Sequence, residues 1–373
     1  MNSPHILLTN KKRGWAGEAT IIAALARGLA ERGRPVTLAT NPDAKIIGKL
    51  EGSGVPILEL TLLKEIPAVG WTMLQDMQRL ARYVRAHDVK LIHSHASFDT
   101  WTSVVCRRLY GLPVTTLRTK HNLKEIAETR TNRWLYTHGV DHVVAPSTAV
   151  DEMLGRSRLV RDEDVTKILN GISLDRGRLY PDGQQKARSE LGIPDDTEVV
   201  VYISRLSARK DPATLVRAIR ALAEQRPRMR LLVVGDGPGE IKAELEQLAS
   251  GCDRIEFWGY RDDVPRILAA SDVFVLPSLV EPFGLAPLEA MLQGVTTIVS
   301  DTEGFRDFVR HGENGLVFPK GDASALASTI DSALSDADLR KRLAIAGEKT
   351  VREHFYTDRM IDDYAALYDR LTA

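Results

Sequence analysis

The chain alternates short apolar runs with longer amphipathic ones, and it does so in two separate series. In the first, HILLT (5–9) precedes a turn around Gly14 and Gly17. EATIIAALARGLAERG (18–33) then repeats apolar residues at helical spacing up to a capping Gly33, before the strand PVTLAT (35–40). TMLQDMQRLARYVRAHD feeds VKLIHSH (89–95), LYGLPVTTLRTKH carries a strand to a basic end, and VDHVVAPS (140–147) and VTKILNG (165–171) add two more. The second series begins at TEVVVYISRL (197–206) and runs through MRLLVVG (229–235), IEFWGY (255–260), DVFVLPS (272–278), VTTIVSD (295–301) and GLVFP (315–319). Strands separated by helices call for mostly parallel sheets with both faces covered. The predicted fold is therefore α/β, two Rossmann-like domains joined by a linker near 171–195, with Gln184 to Pro194 as a polar connector. Ligands of open α/β sheets sit beyond the carboxyl ends of the strands, so the expected site is the cleft between the domains.

A length of 373 residues suits two cores. At 43% apolar and 27% charged the composition is that of a soluble globular protein. No apolar run approaches the roughly 20 residues that span a bilayer, and MNSPHILLT lacks the basic start of a signal peptide, so a cytoplasmic protein is expected. Cys106 and Cys252 have no Cys or His neighbours at ligand spacing and are read as reduced, buried thiols. Asp262 and Asp263, beside Arg261 and Pro265, form no DxD pattern and are read as a helix start. Neither a metal nor a cofactor is expected.

Net charge is zero but unevenly spread. Residues 1–170 hold 24 Lys and Arg against 17 Asp and Glu, and the remainder reverses that balance. The bias peaks between Cys106 and Arg133, where Arg107, Arg108, Arg118, Lys120, Lys124, Arg130 and Arg133 face only Glu125 and Glu128. Such a stretch is either a solvated surface or a patch for an anionic acceptor or an acidic membrane.

In the second series, strand gives way to helix at EPFGLAPLE (281–289), where two glutamates bracket a glycine turn. The helix GLAPLEAMLQG is expected to end at Gly294, with Pro287 in its first turn, where a missing N–H costs nothing. Gly284 lets a ligand approach the backbone closely. The amides of Gly284, Leu285 and Ala286 then point outward with the positive end of the helix dipole, an anion site worth about 0.3–2 kcal/mol from the dipole alone. A carboxylate beside a phosphate repels it, so Glu281 and Glu289 suit hydroxyls on either side of the phosphates. A ligand with hydroxyls at both ends and phosphates in the middle is a nucleoside-diphosphate sugar.

These residues resemble the Glu-x7-Glu motif of the retaining GT-B glycosyltransferases of family 4, the glycosyl transferases group 1. NGIS (170–173), SRLSARKD (204–211), VVGDGPG (233–239) and FWGYRDDVPRILAASDVFVLPS (257–278) follow in that family's order and spacing. In the N-terminal half the resemblance rests on the Gly14–Gly17 turn, LIHSH (91–95) and RTKH (118–121). It implies two parallel sheets facing across a cleft. Residues 1–170 would take the acceptor, 171–355 the donor, and a last helix in 356–373 would cross back onto the first domain.

The resemblance also implies roles. Glu289 would bind ribose hydroxyls, and Glu281 hydroxyls of the transferred sugar. Amides from Phe283 through Gly284 and Leu285 to Ala286 would hold sugar and diphosphate. Arg205 and Lys210 would face the diphosphate, where fixed cations stabilise the charge growing on the leaving group more than the ground state. Tyr260 and Arg261 would contact the base, largely through backbone. His121 matches the family's TxH histidine, close to the reacting sugar and the acceptor, and Gly17 would let the first helix approach the acceptor and the β-phosphate. Gly14, Trp15, Lys120 and Lys124 would lie on the acceptor side. The implied activity is metal-independent, retaining hexosyl transfer by front-face displacement. The favoured donor is a UDP-sugar, with GDP-mannose next. The acceptor would be a glycan or lipid-linked glycan such as a lipopolysaccharide core, with peripheral association at the inner membrane face and no nucleic-acid partner.

Departures are visible. Trp15 stands inside GWAG where the family pairs glycines, Ser204 and Asp211 replace frequent glycines, and Ser173 replaces an aspartate. The residues taken alone also admit surface roles for Glu281, Glu289, Arg205 and Lys210, and a strand-end structural role for His121. His93 and His95, alternating on one strand, read as structural. Rival functions are a sugar-nucleotide epimerase and a non-catalytic nucleotide-sugar-binding protein. A nicotinamide oxidoreductase would need a glycine at the position of Glu240, so GDGPG reads as a turn.

Overall fold

The computed structural model describes residues 3–61, 69–176 and 183–373, which divide into two compact units, Met1–Gly171 with Thr357–Ala373, and Ile172–Tyr356. The first unit holds β1 (His5–Asn10), β2 (Val36–Thr40), β3 (Ile57–Glu59), β4 (Val89–Ser94), β5 (Thr115–Thr119), β6 (His142–Ala145) and β7 (Val165–Lys167). They form one parallel sheet in the order β3-β2-β1-β4-β5-β6-β7. Strand β3 has no counterpart among the expected ones: it is three residues long, lies at the edge and is half-exposed, so it lacks the apolar run that marks the others.

The second unit holds β8 (Glu198–Ile203), β9 (Met229–Val234), β10 (Ile255–Gly259), β11 (Val273–Leu276), β12 (Thr296–Ser300) and β13 (Leu316–Phe318). Its parallel order is β10-β9-β8-β11-β12-β13. Val199, Val200, Val201 and Tyr202 of β8 are all fully buried, as a strand covered on both faces requires.

The central strands of the first sheet change character along their length. Ile6, Leu7 and Leu8 of β1 are core, and the Thr9 and Asn10 that follow are equally buried but polar. In β4, Leu91 and Ile92 give way to buried His93 and Ser94. Buried polar side chains must be hydrogen-bonded, and their gathering at the carboxyl ends marks where chemistry can be placed. The closing helix Thr357–Thr372 packs on the helix Gly17–Glu31 in the same unit. Arg32 binds Asp358 at 2.8 Å and Asp362 at 3.0 Å.

One expectation is corrected. Gln184–Leu191 is a helix ended by Gly192 at φ 66°, within the stretch read as a polar connector. Only Ala187 and Arg188 are buried on it, which leaves no apolar stripe to read. Arg188 donates to the Ala270 carbonyl at 3.0 Å and pairs with Asp272 at 2.8 Å, tying the helix into the second unit. Residues 177–182 of the predicted linker lie outside the described residues.

Candidate functional site

In the second unit the strand order reverses between neighbours β8 and β11, so the loops that leave their carboxyl ends, 204–211 and 277–284, flank the switch point where α/β sheets bind ligands. The loops are tied together: the Arg209 carbonyl accepts from Leu279 N at 2.8 Å and Val280 N at 3.4 Å. That docking brings Lys210 onto Glu281, and the two form an ion pair with side chains 21% and 8% exposed. Ser278 Oγ donates to the same carboxylate at 3.4 Å. Glu281 is therefore not a bare negative charge beside the helix start, because Lys210 compensates it.

Asp211 adopts φ 47°, a left-handed conformation costly for most residues but tolerated by aspartate. Its carboxylate accepts from Thr214 N at 3.3 Å and Thr214 Oγ1 at 2.6 Å, capping the helix Pro212–Leu222. A glycine would serve the same backbone, which accounts for this departure from the family pattern. Arg205 is exposed, and its guanidinium has no hydrogen-bond or ion-pair partner among the described residues. Its carbonyl accepts from the Tyr202 hydroxyl at 3.2 Å.

Sequence reasoning missed what holds this loop. A Cβ on Gly235 would lie 2.0 Å from the Ser204 carbonyl oxygen, and one on Gly237 2.4 Å from that of Leu206. The GDGPG turn thus seats the backbone on either side of Arg205, a function its match to the family motif could have signalled. Gly304 is the second omission. A Cβ there would lie 2.0 Å from the Glu281 carbonyl oxygen, and nothing in TEGF announces it.

The glycine turn itself has Gly284 at φ 96°, capping the helix Leu285–Leu292. A Cβ would meet Phe305 Cε1 at 2.7 Å. Phe283 is buried against Phe308 and Phe355, with ring centroids 5.4 and 6.2 Å away, so its side chain is committed to the core. The amides of Gly284, Leu285 and Ala286 meet no acceptor among the described residues. Glu289, further along this helix, is half-buried beside Val264, Pro265, Leu268 and Leu292, which line a shallow recess.

Tyr260 is 68% exposed. Arg261 lies over the Trp258 ring at 5.4 Å and grips Asp263 through Nε at 2.8 Å and Nη2 at 2.7 Å. That guanidinium holds the Asp263 carboxyl below its ordinary pKa. Asp263 does stand at a helix start, before Val264–Ala270, but its carboxylate serves Arg261 and makes no cap.

In the first unit the order reverses between β1 and β4. Gly14 is open, with nothing within 4 Å of the place a methyl would take, while Trp15 is half-buried with Lys49 Nζ 5.8 Å from its ring centroid. Gly17 is the first residue of its helix and is exposed. His121 follows β5, half-buried, with Nε2 3.0 Å from His95 Nδ1. Burial first, then Lys12, Arg118 and Lys120, push its pKa down to about 3, so the ring is neutral.

Lys120 is placed differently from the expectation of an acceptor-facing cation. It is 4% exposed, and its ammonium donates to the Asn122 carbonyl at 2.9 Å, the Asn122 side chain and the Lys124 carbonyl at 2.7 Å. Burial and the cations Arg118 and Lys124 lower its pKa to about 7. Lys120 thus staples the loop that leaves Lys124 exposed. Arg118 is also buried, against the Tyr136 hydroxyl and Ser97, and Arg107 pairs with Asp141. The basic stretch therefore presents fewer free cations than its sequence promises, because β5 points Arg118 inward. Cys106 is buried and Cys252 half-exposed, both free.

The model of glycosyl transferases group 1 matches residues 183–350, and that of Glycosyltransferase Family 4 matches residues 15–176. A D-inositol 3-phosphate glycosyltransferase of Stackebrandtia nassauensis is 30% identical over 302 residues, 74% of this chain and 67% of that one. The lipopolysaccharide core biosynthesis glycosyltransferase LpsE of Rhizobium meliloti is 37% identical over 183 residues, 48% of this chain; the match spans about half of that relative, 52%. The crystal structure of Anabaena Alr3699/HepE in complex with UDP-glucose superposes with a TM-score of 0.85 at 23% identity, covering 98% of this chain and 99% of that one. The chain belongs to the group 1, family 4 glycosyltransferases, and its fold is GT-B. Among the described residues no helix is long and apolar enough to cross a membrane, and no three His, Cys, Asp or Glu side chains gather to hold a metal ion.

Proposed function

We propose that the protein is a retaining, metal-independent glycosyltransferase that moves a sugar from a nucleoside-diphosphate sugar to a glycan or lipid-linked glycan. The observation that carries this is the switch point of the second unit. There Arg205, exposed and unpartnered among the described residues, the Lys210–Glu281 pair and the open amides of a helix start lie on loops pinned by glycine contacts. In this reading the diphosphate lies on the amides and Arg205, sharing the Lys210 ammonium. Glu281 accepts from hydroxyls of the sugar, and Glu289 from those of the ribose. The bond from anomeric carbon to diphosphate oxygen breaks, and the acceptor oxygen bonds to the same face. The acceptor's proton passes to the departing diphosphate, and the two cations stabilise the charge that develops there.

A UDP-sugar is the favoured donor, supported by the UDP-glucose in the HepE complex, with GDP-mannose next. The lipopolysaccharide-core relative and the exposed Lys124, Arg130 and Arg133 support an anionic, envelope-type acceptor met at the inner face of the membrane by a cytoplasmic enzyme. The test is thermal stabilisation by UDP, GDP, ADP and TDP, alone and as sugars, in EDTA. One base family should raise the melting temperature, and Glu289→Ala should remove most of that shift while leaving the unliganded midpoint in place. No shift with any nucleotide removes the donor site, and an undiminished shift in the variant removes Glu289 from it.

A further inference from the structure

Three histidines of the first unit lie against one another, and one of their buried nitrogens has no partner among the described residues. His93 is fully buried and saturated: Nδ1 meets the Tyr368 hydroxyl at 2.8 Å and Nε2 the Thr119 hydroxyl at 2.7 Å. Its ring centroid is 4.1 Å from that of His95. His95 Nδ1 stands 3.0 Å from His121 Nε2, with the rings 25° apart. His95 is 3% exposed, and its Nε2 is buried without any hydrogen bond. His121 Nδ1, by contrast, is not buried and makes no hydrogen bond among the described residues.

We infer that His95 is a positioning residue that holds His121 in the neutral Nδ1–H tautomer, so that His121 presents a hydrogen-bond donor, at an open nitrogen, to an oxygen of the bound ligand. Between two neutral imidazoles one nitrogen donates and the other accepts. If His121 donated from Nε2, His95 would carry its own proton on Nε2. That leaves a buried N–H without an acceptor, the rarer and costlier kind of orphan. If His95 donates from Nδ1, the unpartnered atom is only a bare lone pair, and His121 keeps its proton on Nδ1. Both rings stay neutral in this place. Burial, then His93 and His121, keep His95 well below the ordinary histidine pKa, and Lys12, Arg118 and Lys120 surround His121. His93, fixed by the closing helix through Tyr368, buttresses the His95 ring from behind. A tautomer fixed by the partner of the other ring nitrogen decides whether a histidine donates or accepts at its working atom.

That the oxygen belongs to a nucleotide sugar or its acceptor rests on the proposed function; the tautomer does not, and it can be read without ligand. In long-range proton–nitrogen spectra of the ¹⁵N-labelled full chain, the His121 signals are identified by their loss in His121→Asn. Wild type should show His121 protonated at Nδ1. His95→Phe should convert it to the Nε2–H form that imidazole favours in water, whereas His95→Asn, whose amide nitrogen overlays Nδ1, should keep it. With donor and acceptor, His95→Phe should lower kcat about tenfold, the size of one hydrogen bond, with the KM for nucleotide sugar unchanged, and His95→Asn should restore most of it. Wild-type His121 protonated at Nε2 overturns the inference, even if His95→Phe fails to fold. A tautomer indifferent to His95→Phe overturns it too. Absence of any nucleotide-induced stabilisation of wild type would count against the proposed function alone.

Discussion

Arg205→Ala and Lys210→Ala should each lower turnover by about 10²–10³, the loss typical of one preorganised electrostatic partner of a transition state. The two should differ in the ground state. Among the described residues Arg205 has no partner to abandon, so its loss should fall mainly on kcat, with a folded-state stability close to wild type. Lys210 compensates Glu281, whose side chain is 8% exposed, so its removal leaves a carboxylate uncovered beside the open amides of the helix start. Donor binding should then weaken as well, and adding Glu281→Gln to Lys210→Ala should recover part of the binding but not the turnover. Steady-state kinetics with donor titration separate these outcomes. Near-normal turnover in either single variant contradicts the role assigned to that cation.

Gly304→Ala should unseat the glycine turn. Its new methyl would stand 2.0 Å from the Glu281 carbonyl oxygen, and backbone on both sides leaves no flexible side chain to give way. Overpacking of that kind costs about 1–3 kcal/mol, and here the strain falls on the segment that carries Glu281 and the open amides. The expected result is a lowered denaturation midpoint together with loss of the nucleotide-induced shift. Gly14→Ala, at a position with open space around it, is the matched control and should change neither stability nor nucleotide binding. A Gly304→Ala protein that melts and binds like wild type would show that the turn does not depend on this contact.

The residues that announce themselves in the sequence are those whose chemistry and spacing are local. EPFGLAPLE places a glycine, a proline and two carboxylates within one turn and the helix it opens, so the helix start at Gly284 is legible from the chain alone. Strands β8, β9 and β11 are equally legible, because buried parallel strands are written as nearly continuous apolar runs. What cannot be read is the contact between segments distant in sequence. The approach of Gly304 to Glu281 and of Gly235 to Ser204 depends on how neighbouring strands deliver their loops. The Lys210–Glu281 pair joins residues 71 positions apart, through a backbone bond from Leu279 to Arg209 that leaves no trace in composition. The basic stretch misleads for a related reason. A cation counts the same in sequence whether it faces water, as Lys124 does, or is folded inward like Arg118 and Lys120. His95 reads as structural because strand alternation shows that it is buried but not which nitrogen it offers to His121.

Catalysis itself is read by following the donor. The sugar nucleotide that stabilises the protein would be incubated with it in EDTA, with and without a lipopolysaccharide-core or lipid-linked acceptor, and its anomeric proton followed by NMR. With acceptor present, nucleoside diphosphate should be released and a new glycoside should appear with the donor's own anomeric configuration. Isomerisation of the donor without acceptor, transfer with inverted configuration, or a bound donor that is never consumed would each contradict the proposed reaction.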